Sequence, residues 1–205
     1  MTDNIENKPD NSLFGANIVL GVTGSIAAYK AADLVSKLKQ KGTEVHTVLT
    51  ASAREFIAPL TFETLSGNQV YTDLFGLKRQ DVPVHISLAG RADLMVIAPA
   101  TANFIGKIAS GLADDLLSSV MMATRAPVLI APAMNSGMYE NRIVQENIRR
   151  LEELGMNFIG PESGYLACGY EGSGRLADVK AIIAEIKFIR QRNISDVAGI
   201  RDKQD

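Results

Sequence analysis

The chain has 205 residues, of which 46% are hydrophobic and 21% charged, so it can bury a sizeable core and does not have the composition of a disordered chain. Its formal net charge is −2, from 21 Lys+Arg against 23 Asp+Glu, and no block of basic residues stands out. This charge pattern argues against nucleic acid as the main partner, because binding to phosphates needs clustered Lys and Arg.

Residues 1–15 are polar and acidic. They lack the positively charged first part and the following apolar stretch that a signal peptide has. We interpret them as a disordered lead-in and not as a signal peptide. The best candidate for a membrane span, residues 92–100, has only the length of a strand. The sequence therefore predicts a cytoplasmic protein without membrane contact.

Short apolar runs rich in Val and Ile alternate with helical patterns along the chain. Strands are predicted at 17–22, 44–50, 94–100, 126–133 and 157–160. Helices are predicted at 25–42, 51–67, 102–124, 142–155 and 177–192, the third with a break near Gly111. Strands that are apolar throughout and alternate with helices indicate a parallel sheet covered on both faces.

The predicted fold is therefore α/β, a single-domain, three-layer, doubly wound parallel sheet of the Rossmann or flavodoxin-like kind. It occupies residues 16–190 and is followed by a polar tail at 191–205. In such sheets ligands bind beyond the carboxyl ends of the strands. The loops that follow the strands are the candidate site.

The first of these loops reads GVTGSIAAYK, residues 21–30. Gly21, Gly24 and Ser25 open a helix whose free N–H groups and dipole favour an anion. The spacing matches neither a dinucleotide fingerprint nor a P-loop, so it is typical of a site for one phosphate and hence for a mononucleotide. A plain glycine turn between strand and helix is the other interpretation.

The second loop, TASAREF at residues 50–56, offers two hydroxyl groups, those of Thr50 and Ser52. They could cap the next helix or donate to a ligand across the cleft, and nothing local decides between these roles.

The third and fourth loops share a pattern: IAPATANF (97–104) and IAPAMNSGM (130–138) both end an apolar strand in Ala-Pro-Ala and then place an asparagine. Proline should terminate each strand there. We expect Asn103 and Asn135 to project their amides into one region, although either could be a helix cap.

Two further residues stand out. His85 precedes a short helical pattern, and a lone histidine in such a place is compatible with a cleft. Cys168, the only cysteine, lies in ESGYLACGYEGSGRL (162–176), a glycine-rich segment that cannot easily be core. With one cysteine and two histidines that lack ligand spacing, no disulfide and no metal site are predicted.

The segments GSIAAYK, HISLA, PATAN, PAMNSGM and LACGYEGSGRL occur in an order that resembles the homo-oligomeric flavin-containing cysteine decarboxylases. Within that family the sequence is most similar to the branch that decarboxylates phosphopantothenoylcysteine in coenzyme A biosynthesis. The resemblance covers about residues 16–190. The pair PAMNSGM and ACGYEGSGRL is specific, whereas GSIAAYK alone would not be.

The resemblance implies FMN as the cofactor and assigns to it Gly24, Ser25, Ile26, Thr50, Ser52, Thr101, Ala102, Asn103, Phe104 and Met134. It assigns to the substrate Asn135, Met138, Ala167, Cys168, Gly169 and Arg175. By resemblance, Asn135 would engage the substrate carboxylate, His85 would assist thiol oxidation or decarboxylation, and Cys168 would protonate the intermediate. The glycines around Cys168 would then belong to a flap that closes over the substrate.

The resemblance also implies partners. Family members form trimers or dodecamers with the flavin site shared between subunits, and the substrate is a small phosphorylated cysteine amide. A ligase that couples cysteine to phosphopantothenate is expected either fused to this chain or as a separate chain.

Two departures and three alternatives accompany this prediction. Phe104 stands where the family motif has threonine, and Tyr170-Glu171 replaces the more usual residues after Ala-Cys-Gly. A peptidyl-cysteine decarboxylase of lantibiotic maturation would share the flavin and asparagine motifs. A flavin prenyltransferase would lack PAMN and the ACG segment, and a flavin-binding regulatory subunit of a phosphatase would keep the fold without turnover.

Overall fold

The structure, a computed structural model, describes residues 12–75, 82–165, 169 and 171–201, with the side chains of the last helix described through Ser195. The strands are β1 (Asn17–Val22), β2 (Glu44–Leu49), β3 (Leu94–Ala100), β4 (Val128–Pro132), β5 (Asn157–Phe158), β6 (Glu162–Tyr165) and β7 (Glu171–Arg175). The helices are α1 (Ala28–Gln40), α2 (Ala51–Arg54), α3 (Pro59–Ser66), α4 (Val84–Arg91), α5 (Ala102–Ala109), α6 (Leu116–Ala123), α7 (Ser136–Tyr139), α8 (Arg142–Glu153) and α9 (Val179–Arg201).

The first five strands form one parallel sheet in the order β2-β1-β3-β4-β5. This order, typical of flavodoxin-like folds, reverses direction between β1 and β3. The predicted fold class is confirmed. The reversal places the loops after β1 and β3 on either side of a crevice, which is where such sheets bind ligands.

The core consists of two apolar clusters, one on each face of the sheet. Leu20 and Val96 point toward α1, α3 and α9, whereas Val19 and Ile97 point toward α4, α5, α6 and α8. Because both faces are covered, neither set of alternating side chains needs to be polar. Each such buried side chain contributes about 1.5–3 kcal/mol of hydrophobic free energy.

Two predicted helices are divided in the structure. The stretch 51–67 splits into α2 and α3 because Pro59 occupies the first turn of α3, where its missing N–H costs nothing. The stretch 102–124 splits into α5 and α6 on either side of Gly111, whose φ is +71°. Asp115 then caps α6 by accepting from Ser118 N at 2.8 Å. The predicted break at Gly111 is confirmed.

The two chain ends differ in part from prediction. α9 continues to Arg201, so the predicted helix end at 192 was too early and the predicted tail is helical through 201. No proline interrupts this stretch, and helix formers such as Gln191 and Arg192 continue the pattern. At the other end, residues 12–15 of the predicted lead-in form a turn in which Leu13 is buried. Residues 1–11 and 202–205 lie outside the described residues.

The glycine-rich segment 162–176 was expected to be a loop, but its two flanks pair as an antiparallel hairpin, β6–β7. Ser163 pairs with Ser173 and Gly164 with Gly172, so the pairing is made by the backbone, without an apolar face. Of its tip, only Gly169 is described.

None of the helices in the described ranges combines the length and the apolar character that crossing a membrane requires.

Candidate functional site

Hydrogen bonds join the loops after β1 and β3 at the point where the strand order reverses. Thr23 Oγ1 donates to the carbonyl oxygen of Pro99 at 2.8 Å, and Thr101 N donates to Thr23 Oγ1 at 3.0 Å. Thr23 N donates to the same Pro99 oxygen at 3.2 Å. One buried threonine therefore fixes the distance between the two loops.

The switch-point cavity, of about 550 Å³, opens beside these loops. Its walls are residues 23–25 after β1, 50–52 after β2, 101, 103 and 104 after β3, and 133, 134 and 138 after β4. Lys107 and Asp115 complete the lining. Loops from four strands thus converge on one cavity, as expected from the sequence.

The loops after β1 and β2 approach each other closely at Gly24. A Cβ atom at this position would lie 2.4 Å from Ser52 Cβ, so only glycine fits. Among the described residues, the backbone N–H groups of Gly24 and Ile26 meet no hydrogen-bond acceptor. Free N–H groups at the start of a helix suit an anion, and this arrangement fits the phosphate of a mononucleotide.

Lys107 and Asp115 are site residues that the sequence reasoning missed. Lys107 Nζ donates to Asp114 at 2.6 Å and to Asp115 at 2.9 Å, and these two bonds raise the pKa of the lysine. Burial opposes ionisation of Asp115, but the hydrogen bonds from Ser118 and Lys107 outweigh it and lower the pKa of this carboxyl. Lys107 lies one turn after Asn103 on the same face of α5, and that spacing was the available signal.

A second space, the hairpin cavity, lies between the start of α1 and the β6–β7 hairpin and measures about 610 Å³. Residues 25–27, 29 and 30 form one side, residues 133–135 the floor, and residues 165 and 174–176 the other side. Ser25, Ala133 and Met134 belong to both cavities, so the two spaces share a wall.

The hairpin is attached to the sheet at Gly174. Met134 N donates to Gly174 O at 2.9 Å. A Cβ atom at position 174 would lie 2.2 Å from Met134 O, and the φ of this glycine is +134°. The attachment therefore requires glycine at this position. Ser173 Oγ adds a bond to Glu140 at 3.0 Å.

Glu162 holds the base of the hairpin. Its carboxylate accepts from Asp178 N at 2.8 Å and from Arg175 Nη2 at 2.9 Å. The backbone N–H of Asp178 and then the Arg175 guanidinium lower the pKa of Glu162. Arg175, assigned to the substrate by resemblance, thus lines the hairpin cavity while it is paired with a carboxylate.

The two asparagines line neighbouring cavities and not a single one. Asn103 lines the switch-point cavity and Asn135 the hairpin cavity, on either side of Met134. Asn135 is also a helix cap, because its Oδ1 accepts from Gly137 N at 2.9 Å. This bond fixes the orientation of the amide. The caps of α2 and α5 are Thr50 and Thr101.

Of the other predicted site residues, some line one of the two cavities and some line neither. Ile26 lines the hairpin cavity, Met138 the switch-point cavity, and Ala102 is the first residue of α5, outside both linings. His85, the second residue of α4 and half-buried, lines neither cavity. Gly169 is exposed, and Ala167 and Cys168 lie outside the described residues.

Lys30 is a further residue that the sequence reasoning missed. It lines the hairpin cavity and forms no ion pair among the residues that the structure describes. Ile26, Tyr29 and Lys30 have the spacing of one helix face, which brings all three to the cavity. Of the three cations that line the two cavities, Lys107 and Arg175 are paired with carboxylates and Lys30 is not.

Comparison with known proteins gives the following matches. The model of the Flavoprotein family matches residues 6–191. The coenzyme A biosynthesis bifunctional protein CoaBC of Bacillus subtilis is 51% identical over 167 residues, which are 82% of this chain and 41% of that protein. A probable phosphopantothenoylcysteine decarboxylase of Streptococcus mutans is 47% identical over 172 residues, 83% of this chain and 96% of that protein.

Two solved structures are also similar. One is a PPC decarboxylase with a cysteine-to-serine substitution, complexed with pantothenoylaminoethenethiol; it is 33% identical, with a TM-score of 0.80 and coverage of 86% of this chain and 99% of that chain. The other is the FMN-dependent cysteine decarboxylase SpaF, also 33% identical, with a TM-score of 0.77 and coverage of 87% and 99%. The chain spans less than half the length of the CoaBC relatives that it matches.

Proposed function

The chain belongs to the Flavoprotein family, and from this premise we propose that it binds FMN and decarboxylates 4'-phospho-N-pantothenoyl-L-cysteine to 4'-phosphopantetheine and CO₂ in coenzyme A biosynthesis. The matches to CoaBC and to the PPC decarboxylase structure support this activity. The observation that carries it is the pair of cavities with a shared wall, one suited to a mononucleotide and the other lined by an unpaired lysine.

FMN would occupy the switch-point cavity. The free N–H group of Gly24, with the hydroxyl of Ser52 opposite, fits a phosphate. The free N–H group of Ile26 follows Ser25, which lines both cavities. Asn103 and Met134 line the same cavity and would contact the rest of the cofactor. SpaF, which resembles this chain over most of its length, is FMN-dependent, and this supports the choice of flavin.

The side chains of this protein would bind the substrate and protonate the enethiolate that forms from it. A carboxylate on a saturated carbon leaves only when the resulting carbanion is delocalised, and FMN, when bound, supplies the reversible two-electron oxidation that makes this possible. An amide nitrogen donates and a carboxylate accepts, so Nδ2 is the atom of Asn135 that would hold the substrate carboxylate, while Oδ1 caps α7. A free cysteine thiol has a pKa of about 8.5 and is mostly protonated at neutral pH, so a cysteine such as Cys168 could donate the proton that the enethiolate needs.

His85 lines neither cavity of its own chain. We therefore propose that it acts on the site of a second copy in a homo-oligomer, as base or electrostatic partner for thiol oxidation or decarboxylation.

The substrate class follows from the charges of the hairpin cavity. Arg175 is paired with Glu162, so Lys30 is the cation available there for an anionic group of a ligand. A phosphate at the far end of a small substrate matches this lysine, while Asn135 holds the carboxylate at the reacting end. A peptide that ends in cysteine would leave Lys30 without an anionic partner.

The test is turnover of purified protein with phosphopantothenoylcysteine, its dephosphorylated form and a cysteine-terminated peptide, followed by mass spectrometry. We expect the phosphorylated substrate to be preferred, and Lys30→Gln to reduce that preference by roughly tenfold or more, since a charge-assisted hydrogen bond is lost. Lys180→Gln, an exposed lysine of α9, is the control. Absence of decarboxylation of all three compounds by FMN-loaded protein would contradict the proposed activity.

The role of Cys168 has a separate test. Cys168→Ser should keep bound FMN and release an enethiol product two hydrogens lighter than 4'-phosphopantetheine. Full formation of 4'-phosphopantetheine by this variant would contradict the assignment of Cys168 as the acid.

The similarity to SpaF, an FMN-dependent cysteine decarboxylase, also fits the second candidate from the sequence, a peptidyl-cysteine decarboxylase. This activity stops at the enethiol and needs no reducing acid. Preferred turnover of the cysteine-terminated peptide, without dependence on Lys30, would select it.

The protein acts in the cytoplasm under this proposal, where coenzyme A biosynthesis needs it. The ligase that makes its substrate would be either the remainder of a longer chain, as in the bifunctional relatives, or a separate chain, as the shorter Streptococcus relative suggests.

A further inference from the structure

A third space, the amino-end cavity, lies at the end of the sheet opposite to the other two. It measures about 510 Å³ and is enclosed by the carboxyl ends of α4 and α6, the turns that lead into β3 and β4, and the region of α9 around Arg190. No residue of the switch-point or hairpin cavity belongs to its lining. It is therefore separate from the proposed site of decarboxylation.

Two arginines line this cavity and neither is neutralised. Arg125, exposed in the turn after α6, forms no hydrogen bond or ion pair among the described residues. Arg190 donates through Nη1 to the carbonyl oxygen of Ser12, but its Nε is buried and has no acceptor in the part of the chain that the structure describes. A buried N–H group without a partner is costly, and Arg190 forms no ion pair with a carboxylate among the described residues.

The single carboxylate of the cavity does not compensate for these charges. Asp93 Oδ2 accepts from the backbone N–H of Asn17 at 2.8 Å. Within the described ranges, no ion pair joins Asp93 to either arginine. The cavity lining thus carries two positive charges and one negative charge, so the field inside it favours an anion.

The rest of the lining is partly apolar. Ile86 of α4 and Ile194 of α9 are both exposed large side chains that border the cavity, and the amide of Asn193 lies beside them. The space is large enough for an anionic group together with an attached organic group.

We infer that the amino-end cavity binds a small molecule with a phosphate group. The guanidinium groups of Arg125 and Arg190 bind the phosphate, whose several oxygens match the planar donor fork of arginine. Ile86 and Ile194 contact the organic part of the molecule.

Phenyl phosphate, which combines a phosphate with an apolar ring, is a suitable probe. Isothermal titration of FMN-loaded protein should show saturable binding, and Arg125→Ala should weaken it by about tenfold or more, because a charge-assisted contact is lost. Arg190→Gln should weaken it similarly, but this side chain also contacts Ser12, so Arg125→Ala is the primary variant. Arg150→Ala removes one exposed arginine on α8 and should leave the affinity unchanged.

Three results would overturn the inference. The first is no binding of phenyl phosphate at millimolar concentrations. The second is equal affinity for benzoate, which would show that phosphate is not what the cavity recognises. The third is binding that is lost in Lys30→Gln and kept in Arg125→Ala, because the probe would then lie in the hairpin cavity. This last outcome would leave the proposed decarboxylase function intact.

Discussion

Gly174 is the residue at which the hairpin comes closest to the sheet. Replacing it with alanine would place a methyl group 2.2 Å from Met134 O and would strain a backbone with φ of +134°. The bond from Met134 N to Gly174 O must then break or the hairpin must move. We expect Gly174→Ala to raise the KM for substrate severalfold and to cost about 1–3 kcal/mol of folding free energy, with FMN still bound.

Steady-state kinetics and urea unfolding of Gly174→Ala would check this expectation. The matched control is Gly90→Ala in α4, where an added Cβ meets open space and the backbone is helical. A Gly174→Ala variant with the KM and stability of the parent would show that the hairpin does not depend on this contact.

Lys107, at the wall of the switch-point cavity, forms ion pairs with two carboxylates, those of Asp114 and Asp115. In Lys107→Met, Asp115 at the cavity wall and its neighbour Asp114 would lose their positively charged partner near the anionic cofactor, and we expect the Kd for FMN to rise roughly tenfold. Lys107→Arg should keep most of the affinity. Titration of the apoprotein by flavin fluorescence, at low and high salt, measures the effect.

The control for this prediction is Lys37→Met, which removes a lysine that pairs with Asp33 on the exposed side of α1. It should bind FMN like the parent protein. If Lys107→Met also bound FMN normally, the ion pairs of Lys107 would have no role in cofactor binding.

The sequence allowed the loop residues of the site to be predicted because the carboxyl ends of parallel strands must meet at one edge. Ser25, Ser52 and Asn103 were predicted in this way, and all three line the switch-point cavity. Lys30 and Lys107 were missed because they reach the cavities from within a helix and not from the loop before it. Their importance for binding depends on which of the lining cations already have carboxylate partners. The partners of Lys107 and Arg175 lie 7 to 13 residues away, outside the i,i+4 spacing of one helix, so no helical pattern reveals them.

The hairpin formed by β6 and β7 is held at its base by Glu162, and this contact depends on pH. The hydrogen bonds from Asp178 N and Arg175 lower the pKa of Glu162 in the folded protein. A carboxyl with a lowered pKa stabilises the fold above its unfolded pKa of about 4.3, and this stabilisation is lost as the pH falls through the folded pKa. Glu162→Gln should therefore be less stable than the parent at neutral pH, and the difference should shrink below about pH 4.

Urea unfolding across this pH range would measure the difference. Glu153→Gln, at the exposed end of α8, is the control and should show no comparable loss at neutral pH. A stability difference between Glu162→Gln and the parent that stayed constant with pH would contradict the proposed role of the ionised carboxylate.

Elements with a strong hydrophobic pattern were predicted well. The bounds predicted for β1 and β3 match the structure, because these strands are apolar throughout and end in clear loop signals. The strands β6 and β7 were missed because the segment is built mainly from glycine, serine and charged residues, which carry no two-residue apolar period. The end of α9 was placed too early because the apolar period fades there while helix-forming residues continue.

At the scale of the whole molecule, the position of His85 is the feature to test. It lies outside both cavities of its own chain, and the proposed catalysis requires it near Asn135. Chains with His85→Asn and chains with Asn135→Ala should each be inactive. In a trimer that contains both variants, one of the three sites pairs an intact His85 with an intact Asn135, so such trimers should regain roughly a third of the parent turnover.

Co-expression of the two variants with different affinity tags, followed by purification through both tags, gives the mixed oligomers. The control is the same co-expression and purification with two differently tagged copies of one variant, either His85→Asn or Asn135→Ala. Mixed oligomers without activity would mean that His85 acts within its own chain or not at all.

The wall that the switch-point and hairpin cavities share includes Met134, a side chain that borders both. A ligand that immobilises this side chain from one side reduces the entropy that a ligand on the other side must remove. With FMN in one cavity and substrate in the other, as proposed, linkage would make this effect reciprocal: substrate would raise the affinity for FMN by the same factor by which FMN raises the affinity for substrate. FMN would then be held most tightly during turnover, when its loss would be most damaging.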